Sequence, residues 1–112
     1  MQKFEYRAPR FSVDLPVQFT VHNATLTGRC REISQEGMKL ELRQPLPINS
    51  HGSVSMSYQD GTLEVKVRVA HVGAKYDGLA FIYESERERS VVARFIASLA
   101  APQNRPGPVL LY

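Results

Sequence analysis

Apolar residues recur at every second position in six short runs, and no other feature of the chain constrains its fold as tightly. In the first run, Val13 to His22, Leu15, Val17, Phe19 and Val21 share one face against Gln18, Thr20 and His22. A period of two is the repeat of a half-buried strand. Pro16 places its start at an edge, or just before full pairing. The second run, Thr25 to Ile33, sets Leu26, Gly28 and Cys30 opposite Thr27, Arg29 and Arg31. In the third, Met38, Leu40 and Leu42 alternate with Lys39, Glu41 and Arg43. Val54, Met56 and Tyr58 make a fourth. Leu63, Val65, Val67 and Val69 make a fifth, with His71 continuing the apolar register toward the interior. Leu79, Phe81 and Tyr83 make the last.

Turn chemistry separates the runs. His22-Asn23-Ala24 is a turn candidate, and Asp60-Gly61 is a hairpin signal. Asp77-Gly78 marks a further turn. Between runs two and three, Ser34 can hydrogen-bond local backbone, and Gly37 can adopt the positive φ of a tight turn. Residues 44–52 carry two prolines and a glycine and read as a loop. The period then lengthens to 3.6. Ser85 with Glu88 forms a capping box, and Val92, Phe95, Ile96 and Leu99 form one stripe of a helix from Glu86 to about Ala100. Six strands with regular turns predict a barrel or a sandwich, with the helix covering one open end or face. The expected organisation is an extended basic arm over 1–12, a strand-and-helix domain over 13–101 and a flexible, proline-rich tail over 102–112.

With 112 residues, one domain is expected. Fourteen Lys and Arg against eleven Asp and Glu give +3, too little for bulk electrostatics to indicate DNA. The excess is concentrated in the arm, where Lys3, Arg7 and Arg10 face only Glu5. One cysteine, Cys30, excludes an internal disulfide and fits a reducing compartment. Residues 1–10 hold no apolar signal core, and no apolar run approaches the roughly 18 residues of a membrane span. The expected location is the cytoplasm, without membrane insertion.

Catalytic patterns are missing from the sequence. His22, His51 and His71 are scattered, and none stands in metal-ligand spacing with another or with Cys30. Neither a phosphate-cradling GxxxxGK[ST] nor a strand–GxGxxG–helix unit occurs. No enzyme, metal or cofactor is expected. A different constellation carries chemistry. Arg7 and Arg10 lie on the arm, and Glu32, Ser34 and Gly37 lie where the second run breaks. The arginine fork binds phosphate oxygens or guanine O6/N7 bidentately. A carboxylate accepts from a guanine N1–H and N2–H edge, and a serine hydroxyl adds a donor. Together these groups suit a guanine nucleotide. Read singly, each is an ordinary solvated charge or polar turn.

The pattern resembles the PilZ domain, a bacterial receptor module for cyclic di-GMP. That family carries RxxxR on an N-terminal arm before a strand of the type seen here as RFSVDLPVQF. A second motif, [D/N]xSxxG, corresponds to Glu32-Ile33-Ser34-Gln35-Glu36-Gly37. Asp77-Gly78-Leu79-Ala80-Phe81 and the terminal helix are also similar, so the resemblance spans about residues 5–100. It implies a six-stranded antiparallel β-barrel with a C-terminal α-helix, cyclic di-GMP as ligand and a downstream effector protein as partner. The implied ligand-binding residues are Arg7, Arg10, Glu32, Ser34 and Gly37.

Two positions depart from the motifs. Tyr6 stands where the first arginine belongs, leaving Arg7-Ala8-Pro9-Arg10 as RxxR, and Tyr6 is expected to stack on a guanine face. Glu32 replaces Asp or Asn and moves its carboxylate by roughly 1.5 Å, one bond length. Two other functions are therefore weighed. One is a degenerate PilZ domain that binds no nucleotide and serves as a protein-interaction adaptor. The other is a single-stranded nucleic-acid binder using the basic arm with Phe4, Tyr6 and Phe11.

Overall fold

The structure, a computed structural model, describes residues 8–100. Six strands are followed by one helix: β1 Phe11–Val21, β2 Ala24–Ile33, β3 Gly37–Glu41, β4 His51–Tyr58, β5 Gly61–Val72, β6 Asp77–Ile82 and α1 Glu86–Ala100. All pairings are antiparallel, and the strands close into a barrel in the order β1-β2-β3-β6-β5-β4. β4 returns to β1 through Gln18 opposite Ser55 and Phe19 opposite Val54. Closure leaves no free sheet edge, which answers the barrel-or-sandwich alternative.

The alternating residues fill the interior. Val17, Phe19, Cys30, Leu40, Val54, Met56, Leu63, Val65, Val67 and Val69 are all buried. Val92, Phe95 and Ile96 join the same core from α1, which lies against β5. The cap forms from Ser85 Oγ, which accepts the Glu88 N–H at 3.1 Å. Glu88 Oε1 reaches one residue further back than in the usual box, accepting the Glu84 N–H at 2.7 Å. No helix among the described residues is long and apolar enough to cross a membrane.

Strict alternation fails where the strands bulge. After Gly28 and Cys30, a period of two would turn Glu32 inward. The register against β3 instead shifts between Cys30, opposite Leu40, and Glu32, opposite Lys39. Two steps on β2 face one on β3, so one residue is extra. Beyond it Ile33 is buried at 1% exposure and Glu32 sits at the surface. β1 takes a similar shift between Ser12 and Leu15, which brings Ser12 opposite Glu32 and Phe11 opposite Ile33.

Three local expectations are corrected, and the hairpin expected at Asp60-Gly61 forms with its turn displaced by one residue. His71 is exposed rather than interior, because β5 shifts register against β6 between Val69 and His71. Asp77-Gly78 is not a turn: both residues pair within β6, Asp77 is buried, and the connection is Gly73 to Tyr76. In the β4–β5 hairpin, Gln59 and Asp60 form the turn, with Gln59 at φ 54°, and Gly61 opens β5. Gly37 has no positive φ. It opens β3 opposite Ala80, and a Cβ there would lie 2.0 Å from the Leu79 carbonyl oxygen. Close approach between strands demands this glycine.

Gly37→Ala is therefore expected to cost about 1–3 kcal/mol, as overpacking does. In a domain of this size that lowers the melting temperature by roughly 4–8 °C per kcal/mol. An unchanged thermal melt contradicts the close approach.

Cys30 yields a second expectation. Burial pushes its thiol up from 9.0 to about 12. The folded state thus holds a proton that the unfolded chain releases near 9. The contribution to stability is complete below that pH and is lost as pH rises from about 9 toward 12. Denaturant titrations across this window should show a shallower alkaline loss in Cys30→Ala than in the parent. At pH 8 the native thiol should resist a disulfide reagent, and rapid modification would contradict its burial.

Candidate functional site

The ends of four strands, β2, β3, β5 and β6, and the two turns that join them meet at a cleft of about 730 Å³ on the barrel. Its lining includes Arg10, Glu32, Ser34, Gly37, Lys39 and Tyr76. Volumes of this size suit a small-molecule ligand. The base of the arm reaches the cleft because Phe11, the first residue of β1, pairs with Ile33 just before the Ser34 turn. Arg10 is therefore set beside that turn.

The turn between β2 and β3 is held from all sides. Ser34 N–H donates to the Gly37 carbonyl at 2.9 Å, and the Ser34 hydroxyl oxygen accepts the Glu36 N–H at 3.0 Å. This local side-chain bond is the usual reason serine favours turns. Because the oxygen is the acceptor, the Ser34 hydroxyl proton is left to donate elsewhere. The Glu36 carbonyl accepts from Phe81 N–H at 2.9 Å, and the Gln35 carbonyl accepts from Tyr83 Oη at 2.5 Å. The carbonyls of Gln35, Glu36 and Gly37 thus all have partners, two of them supplied by β6 and the residue just after it.

Tyr83 links this turn to the helix. Its ring lies tilted against Phe81 with centroids 6.1 Å apart, and the Arg89 guanidinium stands 4.6 Å from its centroid. Burial pushes the Tyr83 hydroxyl up to about 12, with Arg89 opposing and Glu88 and Glu36 reinforcing. The hydroxyl stays protonated, as a donor must, throughout the neutral range.

The charges of the cleft form a connected strip. Arg10 Nη1 lies 3.3 Å from Glu32 Oε1, and Lys39 Nζ lies 4.0 Å from the same oxygen. Glu32 is the more sheltered partner, with 26% of its side chain exposed against 43% for Arg10. Such exposed pairs are worth about 0–1 kcal/mol, so a ligand can displace them. Lys39 Nζ is also 5.3 Å from the Tyr76 ring centroid, and Lys75 Nζ is 5.4 Å from it. Among the described residues no group of three His, Cys, Asp or Glu could hold a metal ion.

Of the sequence-derived candidates, the structure brings Arg10, Glu32, Ser34 and Gly37 to one cleft. Tyr6 and Arg7, most of the 1–12 arm and the 102–112 tail lie outside the described residues. The sequence reading passed over Lys39, Lys75, Tyr76 and the exposed His71 as site residues. Lys39 looked like any outward strand residue. Gly73, which donates to the Tyr76 carbonyl at 3.0 Å, was the available signal for a turn that presents Lys75 and Tyr76.

A closed barrel with a polar cleft at one set of strand ends and a helix packed on its core is a single module with room for a small ligand. The family model for the PilZ domain matches residues 5–98, and the chain belongs to that family, a family of cyclic di-GMP receptors. Among solved structures, the PilZ domain of CeSA from a cellulose-synthesizing bacterium superposes with a TM-score of 0.74 at 14% identity. That match covers 84% of this chain and 100% of the other. YcgR from Escherichia coli, solved in complex with c-di-GMP, gives a TM-score of 0.72 at 20% identity, covering 84% of this chain and 45% of YcgR. MrkH of K. pneumonia, also a c-di-GMP complex, gives 0.70 at 15%, covering 87% and 53%. The chain thus spans about half the length of the last two. A search of curated proteins finds no match.

Tyr83→Phe removes the hydroxyl that holds Gln35. It should lower stability by about 0.5–1.5 kcal/mol, the net value of one hydrogen bond. Thermal or urea denaturation checks this, and an unaltered midpoint contradicts the pinning of the turn by Tyr83.

Proposed function

We propose that this chain is a cyclic di-GMP receptor with no catalytic role, which signals to an effector protein when its N-terminal arm closes on the ligand. The observation that carries this reading is the convergence of Arg10, Glu32, Ser34 and Gly37 on one cleft of suitable volume. Family membership and the two neighbours solved as c-di-GMP complexes support it. Arg10 supplies a bidentate fork for phosphate or a guanine edge. Glu32 accepts from the guanine N1–H and N2–H edge, and the Ser34 hydroxyl donates. Tyr6 and Arg7 complete the set from the arm, Arg7 as a second cation and Tyr6 as a stacking surface. The bonds to Gln35, Glu36 and Gly37 hold the wall of the cleft, and in this proposal the change on binding belongs to the arm. An effector would then read the joint surface of arm and barrel.

A second reading rests on the Arg10–Glu32 ion pair. Two expected ligand contacts satisfy each other in the free protein, as they would in a PilZ domain that has lost its nucleotide and serves as an adaptor. That reading expects equal partner binding with and without nucleotide.

Isothermal titration with cyclic di-GMP decides between them. The receptor reading expects saturable heat, weakened roughly 5- to 140-fold in Arg10→Ala, the equivalent of one lost bidentate contact. Absence of heat at roughly 100 µM protein, where even weak binding registers, overturns it.

A further inference from the structure

Tyr76 stands out because the barrel does not use it. The hydrophobic core and the apolar residues packed against it include Tyr58, Phe81 and Tyr83 but not Tyr76. Its ring is half-buried at the end of the β5–β6 turn and forms part of the cleft wall. Two cations flank it. Lys39 on β3 and Lys75 on its own turn stand 5.3 and 5.4 Å from its centroid.

We infer that Tyr76 is a stacking platform for one base of the ligand, and that Lys39 and Lys75 beside it take the ligand's phosphate charge. This rests on the receptor reading above and extends the site along a wall that neither sequence motif includes. The geometry is continuous: Arg10 to Glu32 is 3.3 Å, Glu32 to Lys39 is 4.0 Å, and Lys39 to the Tyr76 ring is 5.3 Å. A dinucleotide offers both chemistries such a wall needs, a flat base and an anionic phosphate.

The exchange on binding favours the complex. An exposed cation–π contact is worth about a 2- to 5-fold factor in an equilibrium. Base stacking on an aromatic ring is worth roughly 5- to 140-fold per base. As a phosphate draws the ammonium groups off the ring, the weaker contact is replaced by the stronger, and Lys39 exchanges its long 4.0 Å pairing with Glu32 for the phosphate. A ring already part-buried in the cleft wall and flanked by two lysines loses little further freedom when a base arrives.

The test is titration of the full chain with cyclic di-GMP in parallel with Tyr76→Leu, Tyr76→Phe, Lys39→Gln and Arg10→Ala, each checked by thermal melt. Tyr76→Leu keeps apolar bulk but no ring and should bind roughly 5- to 140-fold more weakly, while Tyr76→Phe should stay within about twofold of the parent. Lys39→Gln should weaken binding and flatten its salt dependence. Tyr76→Leu binding like the parent while Arg10→Ala binds poorly overturns the platform and leaves the receptor reading standing. Tyr76→Phe as weak as Tyr76→Leu also overturns it, because the hydroxyl and its loop contacts would then be what matters. A parent chain that binds nothing overturns both readings.

Discussion

The approach of β3 to β6 is the constraint on which the rest of the molecule depends. Gly37 lies so close to Leu79 that a Cβ would sit 2.0 Å from its carbonyl oxygen. This contact joins strands distant in sequence and closes one side of the barrel, while β1 against β4 closes the other. With both seams closed, every inward-facing alternation becomes core, and α1 needs only a short apolar stripe to finish it. The same seam places the 34–37 turn against β6, where Phe81 N–H and the Tyr83 hydroxyl hold its carbonyls. Barrel closure and the shape of the cleft wall are one structural event.

Rigid and displaceable interactions are divided across the cleft. The turn is fixed by backbone bonds and by a serine whose hydroxyl oxygen is already engaged. The charged strip of Arg10, Glu32 and Lys39 is held only by partly exposed ion pairs at 3.3 and 4.0 Å. Water screens such pairs and keeps their net worth small. Replacing them costs little, whereas moving the turn would break its backbone hydrogen bonds. Arg10 belongs to the displaceable side and stands where the arm enters the barrel.

Much of this was legible in the residues. The alternations through Val17 and Phe19 and through Leu63 to Val69 named the interior faces, because a strand buried on one side exposes its sequence period directly. The Ser85–Glu88 cap and the Val92–Leu99 stripe fixed the helix for the same kind of local reason. Glu32, Ser34 and Gly37 were legible as a group by their spacing. Three things were not. The bulge after Cys30, which turns Glu32 outward, depends on register against β3 and β1. The exposure of His71 depends on a register shift against β6. Tyr76 and Lys39 become neighbours only when β3 pairs with β6, and no local period announces that.

By itself, the sequence determined the number and kind of elements, the composition of the core and the chemistry available at the Ser34 turn. These follow from side-chain periodicity and local hydrogen bonding, which act over a few residues. Tertiary structure alone decided that the sheet closes, that Gly37 serves strand approach rather than a left-handed turn, and that Arg10, Glu32, Lys39 and Tyr76 form one strip. Those outcomes rest on pairings between segments tens of residues apart, whose register is set by bulges and barrel closure rather than by any residue's own preference.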